Sequence, residues 1–408
     1  MLCQFSVKNY KSIKDEITFD MQATAISEHE DRLIKDSDGE LFLPVSAIYG
    51  PNGGGKSNVL QSLYTLRSKV LRPLCATCDK KDYEGKVGKV SVAPFFTHEG
   101  NESATEFTVF FRTHLSEYRY ILHLKQDTIL YECLDKIKLN TGRKSGLFER
   151  ETNKDIKLKG IFMKFKVSDD LSDTLPLLSF LAIAYRKNEI INEIMDWFED
   201  GIEFLNYGNP MQELRMAIVK SEDAKNLILD MISEMDIDIV NFQVREKDEN
   251  YIEIYTTHKV NDEEIVILLE EESSGTIKLF GLLPFIAKSL LIGTVLVIDE
   301  LDAKIHPDLL RYIIKLYTDM SVNKHGAQLI FTSHDLSTMN GDNFRRDEIW
   351  FAAKGKVQDT QLYSLVEFKN KKGESVRKDA KYDKQYLEGK YGADPYLKKI
   401  INWGEVNA

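Results

Sequence analysis

The sequence has little of what marks small secreted proteins. It has four cysteines among 408 residues, too few for the disulfide framework of such a domain. Cys75 and Cys78 form one C-x-x-C motif, and without a second pair at zinc spacing a metal or redox role is not favoured. Residues 1–7 lack a basic segment followed by an apolar core, so we expect no signal peptide. These features favour a protein of the reducing cytoplasm.

Long apolar runs and long heptad arrays are also missing. The most apolar stretch, at about 279–298, is interrupted by Lys288 and Gly293 and is followed by two acids, so we expect no membrane span. The lack of heptads argues against a long coiled coil. The 43% content of apolar residues suits a soluble globular chain. A chain of this length buries one large core or two to three smaller ones.

The chain has no overall excess of positive charge. Its net charge is −11, which argues against a broad electrostatic grip on nucleic acid, because such binding comes from Lys and Arg that neutralise phosphates. One local exception is the segment 369–390, where eight Lys and Arg stand against four Asp and Glu. A solvated surface is the favoured interpretation of this segment, and a nucleic-acid patch is the alternative.

Residues 50–57 read G-P-N-G-G-G-K-S, a complete phosphate-binding P-loop. An apolar run suited to a buried strand precedes it, and apolar positions at helical spacing follow it, which is the context that the motif requires. Backbone N–H groups and the helix N-terminus favour phosphate here. We expect Lys56 to reach the β- and γ-phosphates of a nucleotide and Ser57 to hold Mg²⁺. The expected nucleotide-binding residues of this segment are Asn52, Gly53, Gly54, Gly55, Lys56, Ser57 and Asn58.

Residues 295–298 are apolar and are followed by Asp299 and Glu300. The run predicts a buried parallel strand, whose carboxyl end is where open α/β sheets present ligands. Downstream of a P-loop the pattern is typical of a Walker B element. Asp299 would then bind Mg²⁺ through its water shell, and Glu300 would orient or deprotonate the attacking water. The alternative is a strand that simply ends in a polar loop. Asp302 follows these acids, where a loop that contacts a second subunit would lie.

Two further segments predict contacts with a nucleotide. Ser274 and Gly275 open an amphipathic helix upstream of Asp299; a serine cap is expected there, and the helix N-terminus also forms an anion site. Because one P-loop is enough for the chain's own nucleotide, we expect this second site to serve the nucleotide of another copy. A third apolar strand ends at His334. A lone histidine is usually structural, but at this sheet edge it is placed to bond the γ-phosphate.

Three regions follow one another along the sequence: 1–167, 168–236 and 237–408. The first contains the P-loop and β-like runs at 105–112, 117–125, 129–139 and 161–167. The second has helical spacing at 171–188, 189–204 and 211–235. The third returns to strands and contains the remaining motifs. We predict an α/β fold with a mixed β-sheet core, an antiparallel β subdomain and a helical insertion. By its position, the insertion is a candidate sensor or partner surface.

Together these motifs resemble those of the P-loop ABC-type ATPases of the SMC/RecF/OLD group, and most closely the stand-alone OLD-like (RloA-like) AAA ATPases of bacterial anti-phage defence systems. The resemblance extends to residues 7–13, and in this segment Lys11 occupies the position at which a basic residue approaches the nucleotide. It also extends to residues 299–307, 345–351 and 386–393. There are departures. The signature reads Ser-Ser-Gly-Thr, no Q-loop glutamine is found near residues 94–96, and Lys304 replaces a small polar residue.

The resemblance implies a cytoplasmic enzyme that binds and hydrolyses ATP with Mg²⁺ and acts as a switch. Two copies would enclose two ATP molecules, each between one P-loop and the partner copy's signature, as a homodimer or a higher oligomer. The output would reach a separately encoded effector of TOPRIM or nuclease type in anti-phage defence. One alternative is a DNA-binding RecF/SMC-like ATPase of DNA repair. A less favoured one is a complete OLD-type nuclease, for which few residues follow His334.

Overall fold

A computed structural model of the chain describes residues 1–75, 92–114, 116–152, 155–168, 170–205, 221–235, 238–248, 251–261, 263–370 and 373–393. The described residues do not include Cys78, the first part of the predicted helix 211–235, or Lys371 and Lys372 of the basic segment. In the described part the strands are β1 Leu2–Lys8, β2 Ile17–Asp20, β3 Ile34–Lys35, β4 Leu41–Phe42, β5 Val45–Tyr49, β6 Thr105–Arg112, β7 Ser116–Lys125, β8 Thr128–Lys138, β9 Arg143–Glu151, β10 Lys157–Leu158, β11 Ile202–Leu205, β12 Ile239–Asp248, β13 Tyr251–Val260, β14 Glu263–Leu268, β15 Val295–Ile298, β16 Gln328–Thr332, β17 Ile349–Lys354 and β18 Thr360–Ser364. The helices are α1 Lys56–Cys75, α2 His98–Glu102, α3 Leu177–Ala184, α4 Glu189–Asp196, α5 Glu222–Glu234, α6 Ser274–Ile292, α7 Pro307–Thr318 and α8 Tyr382–Leu387.

The motifs found in the sequence meet on one mixed sheet of six strands. Its order is β11-β15-β16-β5-β17-β18, and every neighbouring pair is parallel except β17 and β18. The three predicted motif strands are β5, β15 and β16, and they are adjacent. Because they run parallel, their carboxyl ends reach the same edge of the sheet, so the P-loop, the Asp299-Glu300 pair and His334 all follow at that edge.

An antiparallel sheet of seven strands forms the predicted β subdomain. Its order is β10-β9-β8-β7-β6-β1-β2, and all neighbouring strands are antiparallel. Buried and half-buried residues alternate strictly along β7, as in a sheet with one face on the core. The turn after β1 reaches the P-loop helix, because Tyr10 is fully buried and its hydroxyl lies 2.8 Å from that of Thr65 on α1.

Both faces of the six-stranded sheet are covered, which explains why its central strands are mostly apolar. Every residue of β5, β15 and β16 is buried. In β15, Val295 and Val297 join one core, whereas Leu296 and Ile298 join the other. The first core also contains the seven-stranded sheet, α1, α3 and α4, and the second contains α5, α6 and α7.

A three-stranded antiparallel sheet, β12-β13-β14, fixes the start of α6. Phe242 of β12 packs edge-to-face on Phe280 of α6, with 5.5 Å between the ring centroids. Glu272, just before α6, accepts a hydrogen bond from the Thr256 hydroxyl at 2.6 Å and lies 2.7 Å from the ring nitrogen of His258. The segment that carries Ser274 and Gly275 is therefore anchored on both sides.

The fold class predicted from the sequence is confirmed, with a mixed core sheet, an antiparallel β subdomain and helices in the predicted insertion. Residues 161–167, however, are wrongly predicted as a strand. A 3₁₀ turn spans Gly160–Lys164. The buried Phe162 and Phe165 are three residues apart, which is the period of a 3₁₀ turn and not of a strand. Conversely, β9 is absent from the prediction because its sequence, R-K-S-G-L-F-E-R-E, is mostly polar.

The predicted helices of the insertion are longer than those observed. The helix expected at 171–188 is reduced to α3, and the one expected at 189–204 ends at Asp196, continues as a π-helical turn and gives way to β11. β11 pairs in parallel with β15. Residues 202–205 therefore form a strand because of this distant pairing partner, which the local sequence does not contain. The boundaries 168–236 remain a prediction.

Of the described helices, α6 is long and apolar enough to cross a membrane by length and composition. Its residues 279–287 are all buried within the described fold. Cytoplasmic location remains a prediction.

Candidate nucleotide-binding site

The P-loop lies against two strands, and this contact explains its glycines. A Cβ on Gly54 would lie 2.5 Å from the carbonyl oxygen of Ala352 in β17, and one on Gly55 would overlap the side chain of Thr360 in β18. Positive φ angles, which residues with a Cβ rarely adopt, occur at Gly50, Gly53 and Gly55, with values of 149°, 75° and 101°. The loop shape therefore requires glycine both for its backbone angles and for its close packing.

A cleft of about 240 Å³ opens beside the P-loop and unites side chains from three segments of the chain. Glu300 follows β15 and His334 follows β16, and both line this cleft. The other lining residues are Pro51, Asn52, Gly53, Gly55, Lys56, Ser57 and Asn58. The structure thus brings together Lys56, Glu300 and His334, the three residues predicted to be catalytic.

Lys56 is the buried cation of this cleft, with 6% of its surface exposed. Its ammonium donates hydrogen bonds to the carbonyl oxygens of Gly50, at 2.8 Å, and Pro51, at 3.2 Å. Burial lowers the pKa of the ammonium, and the negative charges of nearby acids, Asp299 first among them, oppose this shift. A cation next to acids is the arrangement that binds a phosphate chain together with a divalent cation.

The two acids after β15 are held by one hydroxyl of the neighbouring strand. Thr332, the fully buried last residue of β16, donates a hydrogen bond to Asp299 Oδ1 at 2.6 Å and accepts one from the backbone N–H of Glu300 at 2.7 Å. Glu300 has a φ of 52°, a left-handed conformation that costs energy in a residue with a side chain. The chain turns between the two acids, and they line different clefts. Thr332 is not among the residues predicted to form the site, and the one sequence signal for it is its position two residues before His334.

A second cleft, of about 270 Å³, shares Ser57 with the first. Asp299 lines it, so the two residues predicted to hold Mg²⁺ face the same space. The remaining lining residues belong to α1, β11 and β15 and are Leu60, Gln61, Tyr64, Phe204, Leu205 and Val297. A segment that the sequence analysis assigns to the insertion, β11, therefore reaches the predicted metal site.

Lys11 lies beside this second cleft, and it is not among the described residues that line the first. Its ammonium donates a hydrogen bond to the side-chain oxygen of Gln61, one helical turn along α1 from Ser57. Burial lowers the pKa of the Lys11 ammonium. The structure therefore places Lys11 near the predicted metal ligands through Gln61.

Ser12, which is not among the predicted site residues, connects the amino-terminal turn to the P-loop. Its hydroxyl accepts a hydrogen bond from the side-chain amide of Asn58 at 2.7 Å and lies 2.7 Å from the hydroxyl of Thr360. Thr360 donates in turn to the carbonyl oxygen of Gly54 at 3.1 Å. The side chain of Asn58, predicted to bind nucleotide, is thus engaged with Ser12, although Asn58 does line the P-loop cleft.

Asp302 holds the segment that carries His334. Its Oδ2 accepts a hydrogen bond from the backbone N–H of His334 at 3.1 Å, and its Oδ1 is buried without a hydrogen-bond partner among the described residues. Asp302 itself is not one of the described residues lining either cleft. Its contact within the chain is therefore a positioning one, and its predicted contact with a second copy remains a prediction.

The predicted signature lies outside the P-loop cleft of its own chain. Ser273 caps α6 by accepting a hydrogen bond from the backbone N–H of Thr276 at 3.1 Å, so the expected serine cap is present. Ser274 is exposed and Gly275 is half-buried. Neither belongs to the described residues that line the cleft.

The residues present fit ATP and Mg²⁺. Ser57 is exposed in the first turn of α1, a helix of 20 residues with no acid in that turn, which suits an anion at its N-terminus. Ser57 and Asp299 offer oxygen ligands to one cleft, and oxygen is the donor that Mg²⁺ prefers. Lys56 would hold the phosphates, and Ser57 and Asp299 would hold the metal.

The strand order, the P-loop and the acids beside it are those of a P-loop nucleotide-binding domain. The family model described as "AAA domain, putative AbiEii toxin, Type IV TA system" matches residues 45–340. This match spans well over half of the sequence, so the chain belongs to that family. No curated protein matches the chain.

Solved structures similar to this chain include three SMC heads. The SMC head domain from Thermotoga maritima has 14% identity and a TM-score of 0.42, over 89% of this chain and 98% of that one. The SmcHead bound to the C-winged helix domain of ScpA has 12% identity and a TM-score of 0.47, over 89% of this chain and 97% of that one. The third is the Smc head domain with an extended coiled coil bound to the C-terminal domain of ScpA derived from Pyrococcus furiosus. It has 10% identity and a TM-score of 0.45, over 89% of this chain and 96% of that one.

Proposed function

We propose that this protein is an ATP-hydrolysing switch whose two copies close around ATP and control a separate effector in anti-phage defence. The observation that carries the proposal is the division of the site. Lys56, Ser57, Glu300 and His334 surround one cleft, whereas Ser274 and Gly275 lie outside it. A signature that cannot serve its own P-loop is explained if it serves that of a second copy.

The residues that line the two clefts support a proposed role for each within one chain. Lys56 binds the β- and γ-phosphates, and Ser57 and Asp299 hold Mg²⁺, which neutralises phosphate charge when bound. Glu300 lines the phosphate cleft and is exposed, so it is placed to orient the attacking water and accept its proton. His334 lines the same cleft, and its proposed role is to bond the γ-phosphate.

Closure requires that ATP stabilise the joined state more than the separate one. A nucleotide bound at the P-loop would present its γ-phosphate toward the partner, where the N-terminus of α6 offers partial positive charge. Hydrolysis removes that phosphate, so the nucleotide no longer stabilises the joined state more than the separate one. The assembly would be a homodimer or a higher oligomer built from the same contact.

The link to defence rests on resemblance and on the family. The family's description names a putative toxin and a toxin–antitoxin system, and the motifs of this chain resemble those of OLD-like ATPases of defence systems. The helical insertion is the proposed surface for the effector, of TOPRIM or nuclease type. The alternative of a DNA-binding repair ATPase rests on the basic segment, where Arg377 is paired with Asp379 and Lys390 with Glu388. These pairs favour a solvated surface.

Turnover by the purified chain tests the catalytic part. The wild-type protein should hydrolyse ATP in the presence of Mg²⁺, and Glu300→Gln should lower kcat by ~100-fold or more while ATP binding persists. A wild-type protein without turnover, or a Glu300→Gln variant with unchanged turnover, contradicts the assignment.

The biological part is tested in cells that carry the gene with its native neighbours. Plating with a panel of phages should show protection that is lost in Lys56→Ala, a variant expressed at the same level. Protection that persists in Lys56→Ala would show that the P-loop does not drive defence. Metal-dependent DNA cleavage by the purified chain alone would instead support the OLD-type nuclease.

A further inference from the structure

The turn between β17 and β18 lies beside the P-loop. β17 runs parallel to β5, so its last residue, Lys354, reaches the edge of the sheet at which the P-loop begins. A Cβ on Gly53 would lie 3.4 Å from the ammonium nitrogen of Lys354. On the other side of the turn, the hydroxyl of Thr360 donates a hydrogen bond to the carbonyl oxygen of Gly54 at 3.1 Å. Both ends of the turn therefore border the P-loop.

Contacts within the turn fix its shape. The side-chain oxygen of Gln358 accepts a hydrogen bond from the Lys354 ammonium at 3.3 Å, and the N–H of Gly355 donates one to the carbonyl oxygen of Asp359 at 2.8 Å. A Cβ on Gly355 would lie 2.1 Å from the carboxylate of Asp359, so the turn requires glycine there. A surface whose shape is set before it binds loses little conformational freedom on binding.

Residues 354–358 form a basic turn with an exposed tip. Lys354 and Lys356 are exposed, and neither forms an ion pair with an acid among the described residues. Val357, between Lys356 and Gln358, has 56% of its surface exposed. Two unpaired cations and an exposed apolar side chain make this surface suited to an acidic partner that also offers an apolar contact.

Glu270 and Glu271 form an acidic segment just before α6. Both are exposed, and within the described part of the chain neither is paired with a cation. Ser274 follows Glu271 by three residues, so their α-carbons are within about 11 Å of each other. Ile277, near the start of α6, has 38% of its surface exposed. Acids so close to a site for phosphate disfavour the phosphate by repulsion unless a cation faces them.

We propose that the basic turn of one copy docks on the acidic segment of a second copy. This inference rests on the proposed function and adds an interaction surface to it. If Ser274 of one copy reaches the nucleotide at the P-loop of the other, the acidic segment of the first comes beside the basic turn of the second. Exposed charges act on one another over about 10 Å, and Val357 and Ile277 supply an apolar contact on the same surfaces. The contact stabilises the closed assembly and offsets the repulsion between the acidic segment and ATP.

The test exchanges the charges in the Glu300→Gln background with ATP and Mg²⁺. Lys354→Glu/Lys356→Glu should raise the dissociation constant of the assembly at least ~10-fold, measured by sedimentation equilibrium. Glu270→Lys/Glu271→Lys should also raise it, although this change lowers the net negative charge of the chain. Combining all four changes restores opposite charges in every contact and should return the constant to within about threefold of its original value.

A matched control makes the same change of charge far from the P-loop. Lys35 and Lys324 are exposed, and Ile34 lies beside Gly326, near the edge of the sheet at which β16 begins. Lys35→Glu/Lys324→Glu should leave assembly unchanged. A control that weakens assembly as much as Lys354→Glu/Lys356→Glu, or four combined changes that fail to restore it, overturns the inference.

The competing explanation is that Lys354 and Lys356 bind the nucleotide itself. Ser274→Arg is expected to block assembly, so ATP affinity in that background reports on a single copy. There, Lys354→Gln/Lys356→Gln should leave Kd for ATP within about threefold, whereas loss of a direct bond to a phosphate would raise it ~10-fold or more. A rise of that size overturns the inference. Failure of Glu300→Gln to assemble with ATP would instead overturn the proposed function, and this inference with it.

Discussion

The hydroxyl of Thr332 donates a hydrogen bond of 2.6 Å to the carboxylate of Asp299. The same oxygen accepts a hydrogen bond of 2.7 Å from the backbone N–H of Glu300. One buried side chain thus fixes the proposed metal ligand and the backbone of the proposed general base at once. The contact joins the carboxyl ends of the adjacent parallel strands β15 and β16, so the sheet register determines it.

Thr332→Val should impair hydrolysis more than binding. Valine keeps the shape of the side chain but leaves the Asp299 oxygen and the Glu300 N–H without their partner, at a cost of about 1–3 kcal/mol in the free energy of unfolding. We expect kcat to fall ~10- to 100-fold, because small displacements of a catalytic group have effects of this size. Thr332→Ser retains the hydroxyl and serves as the control. Equal kcat values for the two variants would show that the hydroxyl has no positioning role.

Ser12→Ala should weaken ATP binding although Ser12 lies outside the P-loop. The change removes the acceptor of the Asn58 amide and the hydroxyl partner of Thr360, and each such hydrogen bond contributes about 1 kcal/mol. We expect Kd for ATP, measured by calorimetry, to rise roughly fivefold. Ser6→Ala is the matched control, because Ser6 bonds a threonine hydroxyl, that of Thr18, at 2.9 Å between β1 and β2. A similar Kd in both variants would show that the Ser12 contacts do not shape the P-loop.

Glu348 should make the protein less stable as the pH rises. Burial raises the pKa of its carboxyl group from 4.5 to about 8, so the folded state binds the proton more tightly than the unfolded state. The resulting contribution to stability is complete below about pH 4.5 and is lost as the pH rises through about 8. Glu348→Gln cannot ionise, so its free energy of unfolding relative to wild type should increase between pH 5 and pH 8.5. The exposed Glu40→Gln should show no such trend, and a parallel pH dependence of wild type and Glu348→Gln would contradict the prediction.

The parts of the site that follow from the sequence are those where a short apolar strand ends in a residue with fixed chemistry. The P-loop, Asp299, Glu300 and His334 are of this kind, and the parallel sheet brings them to one edge. Thr332 and Ser12 act through partners that are distant in sequence, so no local pattern reveals them. β11 is misassigned for the same reason: its four residues continue a helical pattern, and only pairing with β15 makes them a strand.

The central claim is that Ser274 acts on the nucleotide held by a second copy. Its most direct test is the mass in solution of Glu300→Gln with and without ATP and Mg²⁺, compared with the double variant Glu300→Gln/Ser274→Arg. We expect ATP to shift Glu300→Gln to a larger assembly. We expect the double variant to bind ATP with similar affinity at its own P-loop and to keep the smaller mass. A mass of Glu300→Gln that is indifferent to ATP, or a double variant that assembles as well as Glu300→Gln, would contradict a signature that acts between copies.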